Sequence, residues 1–147
     1  MTATTTVVAR YKRNGPRGGG RGFTASYLLT DSTTIVAGAL VSLTQATSKA
    51  LNATDAASEK FAGVCTKTVT SGSSNTTVYC EVEYGHEELF TTDTSLAALV
   101  GTMATVKDNN TVTSAASTND MQVGEIIEVL STTQAWIKVR SPEVPLT

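Results

Sequence analysis

The stretch Thr76-Thr-Val-Tyr-Cys-Glu-Val-Glu-Tyr84 is rich in β-branched and aromatic residues. Residues of these types favour half-buried strands over helices. In a strand, Glu81 and Glu83 share one face, because successive side chains point to opposite faces. We interpret that face as solvated, with a paired general acid and base as the alternative. The stretch therefore predicts one strand of an all-β protein.

On both sides of this strand, short apolar segments alternate with turn-forming sequences such as Ser71-Gly-Ser-Ser-Asn75 and Asp108-Asn-Asn110. Helix is scarce, with one short helix predicted from Asp93 or Thr94 to Leu99 and one turn over residues 53–60. Seven short strands at this spacing predict a sandwich or a small barrel. The predicted strands are residues 24–29, 39–43, 61–70, 76–84, 103–107, 123–129 and 135–139.

The composition favours a structural protein over an enzyme. The 147 residues leave room for one domain that buries most of its apolar surface. Thr accounts for 27 of them, whereas aromatic residues make up 5% and charged residues 16%. The organisation we predict is a basic, flexible arm over residues 1–22, a single β-rich domain over 23–141 and a C-terminal tail over 142–147.

Charge is distributed unevenly along the chain. Residues 1–22 contain five basic residues and no acidic residue, whereas the remainder has six basic and thirteen acidic residues, a net charge of -7. A basic arm on an acidic body predicts a negatively charged partner, which includes a neighbouring copy of the same body. The predicted docking arm consists of Arg10, Tyr11, Lys12, Arg13, Arg17, Arg21 and Phe23.

Nucleic acid is the alternative partner for this arm, because Arg-Gly-rich segments bind single strands by charge and stacking. Only Tyr11 and Phe23 are available for stacking there, and the acidic body would repel a phosphate backbone. We therefore favour protein docking over nucleic-acid binding.

Motifs for catalysis, metals and cofactors are weak in this sequence. Catalytic triads and zinc sites rely heavily on histidine, and the chain has a single one, His86. His86-Glu-Glu-Leu-Phe90 lacks the second histidine of the zinc-protease motif, since Phe90 stands in its place. We expect no catalytic, metal or cofactor site, and we expect His86 to be partly exposed in a turn.

Cys65 and Cys80 are predicted to face each other if a turn at Ser71-Gly-Ser-Ser74 joins two paired strands. Directly opposite partners of the non-hydrogen-bonded kind are close enough for a disulfide. Two reduced, buried cysteines are the interpretation we favour, because bridges are rare in cytosolic proteins.

No apolar run approaches the roughly 18 residues of a membrane span. The N-terminus also lacks an apolar signal core followed by a small-residue cleavage site. We therefore expect a protein that is made and kept soluble in a cytosol.

The order of five motifs resembles the capsid decoration, or cement, proteins of tailed bacteriophages. The likeness covers roughly residues 32–140 and lies in the order and spacing of the motifs, while the basic arm falls outside it. The motifs are Ile35-Val-Ala-Gly-Ala-Leu-Val-Ser-Leu43, Phe61-Ala-Gly-Val64, Val78-Tyr-Cys-Glu-Val-Glu-Tyr-Gly85, Gly101-Thr-Met-Ala-Thr-Val-Lys-Asp-Asn-Asn-Thr-Val112, and Val123-Gly-Glu-Ile-Ile-Glu-Val129 followed by Ala135-Trp-Ile-Lys-Val139.

This resemblance implies a compact β-barrel or β-tulip domain that assembles, usually as trimers, on the outside of an expanded icosahedral shell. The implied partners are the major capsid protein and two further copies of the chain. The implied location is the capsid exterior of a virion assembled in the host cytoplasm. Two alternatives stay open: another virion subunit, such as a head-to-tail connector or tail-tube protein, and a nucleic-acid-binding module that uses the Arg/Gly arm.

Overall fold

The computed structural model describes residues 7–8, 10–13, 22–54, 58–93, 99–113 and 121–140. Within these ranges the chain is built almost wholly from strands, as the sequence predicted. The strands are β1 (Lys12–Arg13), β2 (Phe23–Leu28), β3 (Thr34–Ile35), β4 (Leu40–Thr44), β5 (Ala50–Asn52), β6 (Glu59–Cys65), β7 (Val69–Thr70), β8 (Tyr79–Tyr84), β9 (Glu87–Thr92), β10 (Met103–Val106), β11 (Thr111–Thr113), β12 (Gln122–Ser131) and β13 (Gln134–Val139).

Five of the strands form a closed barrel in the order β9, β11, β10, β12, β13 and back to β9. The closing pair is antiparallel and runs along most of β9, from Glu87 opposite Lys138 to Thr91 opposite Gln134. β11 pairs in parallel with the other edge of β9, but only at Thr91 and Thr92. Because β11 is so short, the first half of that β9 edge is left for another strand.

A second sheet has the order β2, β8, β6, β4, β5. Its two outer strands approach each other where Leu29, just after β2, forms an isolated bridge with Ala50 of β5. The amide of Thr30 donates to the carbonyl of Ala50 at 2.9 Å in the same place. This sheet therefore curls until its edges meet at one point.

Two hydrophobic cores result, and β6 contributes to both. Phe61 and Val64 belong to the core that fills the barrel, whereas Ala62 and Cys65 belong to the core of the second sheet. The register of β6 against β4 shifts next to Gly63, whose φ is +149°. The extra residue at this bulge shifts the alternation of side chains along β6, so that Phe61 and Val64, three residues apart, both enter the barrel core.

Six of the seven predicted strands are present as single strands, with ends that differ by a few residues. The seventh, predicted over 61–70, is split into β6 and β7. The predicted turn over 53–60 is wrong at Glu59 and Lys60, which begin β6. The predicted helix falls mainly on 94–98, and the predicted tail on 142–147; both lie outside the described residues. Between the barrel and sandwich expected from the sequence, the structure has the barrel.

The predicted register between the two cysteines is wrong. Cys65 lies opposite Val82, and Cys80 lies opposite Tyr27. The reason is β7, which leaves the connection between β6 and β8 to pair with β3. The turn at residues 71–74 therefore does not join β6 directly to β8, and no local rule could give their register.

Gly124 is a position where the barrel excludes any side chain. A Cβ atom at Gly124 would lie 1.8 Å from the carbonyl oxygen of Lys138 on β13. We expect Gly124→Ala to force β12 and β13 apart and to lower the free energy of unfolding by about 1–3 kcal/mol. Chemical denaturation measures this, with Gly72→Ala as the control, because a Cβ at Gly72 meets no atom within 4 Å. Equal stability of the two variants would contradict the close contact between β12 and β13 at Gly124.

Candidate docking surface

The N-terminal residues that the structure describes lie on the body as an added strand. β1 pairs antiparallel with β9, with Lys12 opposite Glu88 and Arg13 opposite Glu87. The amide of Leu89 donates to the carbonyl of Tyr11 at 3.0 Å, and the amide of Val8 donates to the carbonyl of Ala37 at 2.8 Å. β1 thus occupies the half of the β9 edge that β11 does not reach, which satisfies backbone groups that an open edge would expose.

Arg10 anchors this segment with a side chain that is only 4% exposed. Its guanidinium donates to the carbonyl of Gly38, and it donates to the carbonyl and the side-chain oxygen of Asn110 at 3.1 and 2.9 Å. It also forms an ion pair with Glu88 at 3.3 Å and lies over the ring of Phe90, 4.7 Å from its centroid. We call the four contacted residues, Gly38, Glu88, Phe90 and Asn110, the Arg10 site.

Burial and the carboxylate of Glu88 shift the pKa of the Arg10 guanidinium in opposite directions. Desolvation lowers the pKa of Arg10, while the charge of Glu88 and its hydrogen bond raise it. Arginine keeps its charge over the whole physiological range, so the buried cation needs both Glu88 and the carbonyl oxygens as partners. Glu88, which is 1% exposed, needs Arg10 for the same reason.

A chain of polar and charged side chains continues from the Arg10 site to the surface. Nε2 of His86 lies 2.7 Å from Oε1 of Glu88, and its Nδ1 lies 3.3 Å from Oε1 of Glu83. Glu83 in turn pairs with the ammonium of Lys12 at 3.2 Å. The expectation of a partly exposed His86 is wrong, since the residue is 3% exposed. A hydrogen bond between its Nε2 and Glu88 offsets part of the cost of burying this polar side chain.

An apolar pocket of about 300 Å³ lies beside this edge. Phe23 is 64% exposed although it is a large apolar residue, and its ring stacks on Tyr84 with 5.8 Å between centroids. Partly exposed aromatic residues next to polar groups are typical of surfaces that bind other proteins. The lining of the pocket includes Phe23, Tyr84, Met103, Glu125, Lys138, Val139 and Arg140.

The structure places the predicted arm residues in three different settings. Arg10, Tyr11, Lys12 and the backbone of Arg13 lie on the barrel, where Lys12 and Arg13 form β1 of its sheet. The predicted domain boundary at residue 22 stays a prediction. Phe23 begins β2 and lies at the pocket. Arg17 and Arg21 fall outside the described residues.

Sequence reasoning missed the residues that receive the arm. Glu87 and Glu88 were not among the predicted site residues, and each is only 1% exposed. Gly38 was also missed, although a Cβ there would lie 1.9 Å from the carbonyl oxygen of Val8, and its φ of +88° suits glycine. The usable signal was charge: a body of net -7 with adjacent glutamates, and a terminal segment that is only basic.

Cys65 and Cys80 are two buried free thiols. Their Sγ atoms lie 3.8 Å apart, since both side chains enter the core of the second sheet. The hydrogen bond from Cys80 lowers the pKa of Cys65, and the same contact together with burial raises the pKa of Cys80. Their redox state in the isolated protein stays a prediction, for which reduced thiols are favoured.

In the part of the chain that the structure describes, no three His, Cys, Asp or Glu residues are grouped as a metal site. The same residues include no helix that is long and apolar enough to cross a membrane.

We expect Arg10→Ala to leave Glu88 as a buried carboxylate without its cation and to lower the free energy of unfolding by about 3 kcal/mol. The amide of Leu89 should also exchange its hydrogen faster, because it is bonded to Tyr11 of the displaced strand. Denaturation and hydrogen exchange measure the two effects. The control is Lys107→Ala, which removes a cation from a 46% exposed ion pair with Asp93 and should cost less than about 1 kcal/mol. Equal losses in both variants would contradict the anchoring role.

We expect two reactive thiols per chain after unfolding of protein purified without reductant, and almost none before unfolding. Burial of both residues keeps reagents from the native thiols, and a favoured reduced state leaves both available afterwards. Titration with a thiol reagent in buffer and in denaturant gives both counts. A count near zero in denaturant would show that the two cysteines are bridged.

Comparisons of the chain with models of protein families, with curated proteins and with solved structures found no match. The candidate function therefore rests on the residues and contacts described above, together with the motif order of the sequence.

Proposed function

We propose that this protein is a decoration protein of a bacteriophage capsid, which binds the outside of the expanded head and stabilises it against the pressure of packaged DNA. The observation that carries the proposal is the way residues 10–13 bind: as an extra strand on a sheet edge, with a buried arginine as anchor. Addition of a strand uses main-chain hydrogen bonds and can join one protein to another.

The motifs that resemble decoration proteins coincide with the strands that build both cores. Residues 61–64 lie in β6, 123–129 in β12 and 135–139 in β13. Residues 78–85 comprise β8 and the turn into β9, which carries Glu88 of the Arg10 site. The resemblance thus concerns the parts of the chain that determine the barrel and the docking edge.

Contacts of the described bases favour a protein partner over nucleic acid. Arg10 is buried against Glu88, and Lys12 pairs with Glu83. Two of the five bases in residues 1–22 are thereby neutralised by the body itself, and phosphate binding depends on the number of available cations. The apolar pocket at Phe23 adds a surface suited to the side chains of a shell subunit.

The proposed partners are the major capsid protein and further copies of this chain, most simply as a homotrimer at three-fold positions of the shell. A clamp that spans several shell subunits adds contacts that must break before the shell opens. Clamping the shell in this way requires edge strands and complementary surfaces, and it requires no catalytic group.

The experiment is co-sedimentation of the purified protein with empty expanded shells that lack it, beside a tube that contains DNA alone. We expect saturable pelleting with shells, at a fixed ratio to the shell subunit, and none with DNA. Pelleting with DNA alone would move the function to nucleic-acid binding. Absence of pelleting with shells would contradict the proposal and favour a connector or tail protein.

The same assay tests the arm. We expect replacement of Arg13, Arg17 and Arg21 by Ala to reduce shell occupancy at least several-fold while the thermal unfolding of the body is retained. The matched control replaces Lys49, Lys67 and Lys107 by Ala, which removes the same charge from the body. Unchanged occupancy in the arm variant, or an equal loss in both, would contradict a specific role for the arm.

A further inference from the structure

The edge of β9 is built to receive a basic strand, and the strand need not come from the same chain. We propose that residues 10–13 of one copy bind the β9 edge and the Arg10 site of a neighbouring copy, so that β1 is exchanged within the assembly. The proposal rests on the assembly of several copies put forward above, and it names the contact that links them.

The charges of the site specify its occupant. Glu87 and Glu88 are each 1% exposed, and Arg13 and Lys12 lie opposite them in the register of β1. Arg10 pairs with Glu88 and Lys12 pairs with Glu83. Buried carboxylates are strongly unfavourable without cations and hydrogen bonds, so the edge needs a strand with basic residues at the positions of Arg10 and Lys12. In the whole sequence, residues 1–22 are the segment that has five bases and no acid. A second copy of this chain supplies that segment.

The length of the connection allows the exchange. Arg13 is opposite Glu87, and Phe23 is opposite Tyr84, only three residues earlier in the chain, where β8 leads into β9. Two cross-strand steps of about 5 Å and three residues of chain place the two ends at most about 20 Å apart, whereas the nine residues between them, 14–22, can extend to about 30 Å. Five of the nine are glycines. The connection is therefore longer than binding to the same chain requires, which leaves length for β1 to reach the β9 edge of an adjacent copy.

The energetics of exchange depend on concentration and not on new contacts. An exchanged strand forms the same bonds with Leu89, Glu88 and Asn110 as an unexchanged one, so the site itself does not distinguish the two. A connection longer than binding requires lowers the effective concentration of the strand at its own site. Neighbouring copies held side by side raise the concentration of the competing sites, which is why exchange is a low-cost route to an oligomer.

The test uses the full chain with Tyr11→Cys and Leu89→Cys, because these residues are backbone partners across β1 and β9 and Tyr11 is 76% exposed. The double variant is refolded from denaturant under reductant over a range of concentrations. It is then oxidised with glutathione disulfide, both in solution and on expanded shells. Peptide mapping identifies the bond between positions 11 and 89, and a denaturing gel without reductant shows whether it lies within or between chains.

A second arrangement isolates the contact between chains. Copies with only Tyr11→Cys are mixed with isotopically labelled copies with only Leu89→Cys, refolded together and oxidised. A bond between positions 11 and 89 can then form only between two chains. Gly38→Ala should abolish it, because the added Cβ meets the backbone of Val8 in the bound segment. Gly72→Ala, which adds a methyl group in open space, should leave it unchanged.

We expect covalent oligomers from the double variant and a mixed dimer from the two single variants, in solution or on shells. Bonds only within single chains, under both conditions and at every concentration, would overturn the exchange. Formation of no bond at all would also overturn it, since β1 would then not lie on β9. Shell occupancy, scored separately by sedimentation, decides the proposed function independently of these outcomes.

Discussion

Closure of the barrel at β9 is the constraint on which the rest of the structure depends. One edge of β9 is paired along most of its length with β13, and the other is divided between β11 and β1. A β11 of only three residues cannot cover that edge. An open half-edge would expose backbone donors and acceptors and would invite pairing with other chains. The segment with Arg10 and Lys12 covers this opening.

Closure in this manner brings charged groups into the interior. Glu88 enters the site of Arg10, His86 lies between Glu83 and Glu88, and Lys12 ends the series at the surface. Such a network is favourable only when its members are satisfied together, because each buried charge that loses its partner keeps the full cost of desolvation. The N-terminal segment is thus part of the folded structure, because Arg10 and Lys12 neutralise Glu88 and Glu83 of the body.

This dependence connects the fold with the proposed function. A strand that binds through main-chain bonds and a few charges can bind an equivalent edge on another copy without any change in its contacts. A protein that works by holding many subunits together benefits from such an element, since the contact that completes one barrel also joins two chains. The exposed Phe23 and the pocket beside it provide a second surface, a short distance along the same side of β8.

Most strands were predictable from the sequence because their determinants are local. β-branched residues between turn-forming sequences indicate β8, β12 and β13 whatever the remainder of the chain does, and the barrel class follows from their number. β9 was missed because His86, Glu87 and Glu88 at its start argue against a buried strand. Glu88 is buried with Arg10 as its cation, and Arg10 lies more than seventy residues away in the sequence. The register of Cys65 was missed because β7 pairs with β3, which is distant in the sequence.

The sequence by itself therefore determined the all-β class, the asymmetry between a basic terminus and an acidic body, and the positions of most strands. Only the tertiary structure decided which edge the basic segment completes, because burial of a charge depends on partners that meet in space and not in sequence.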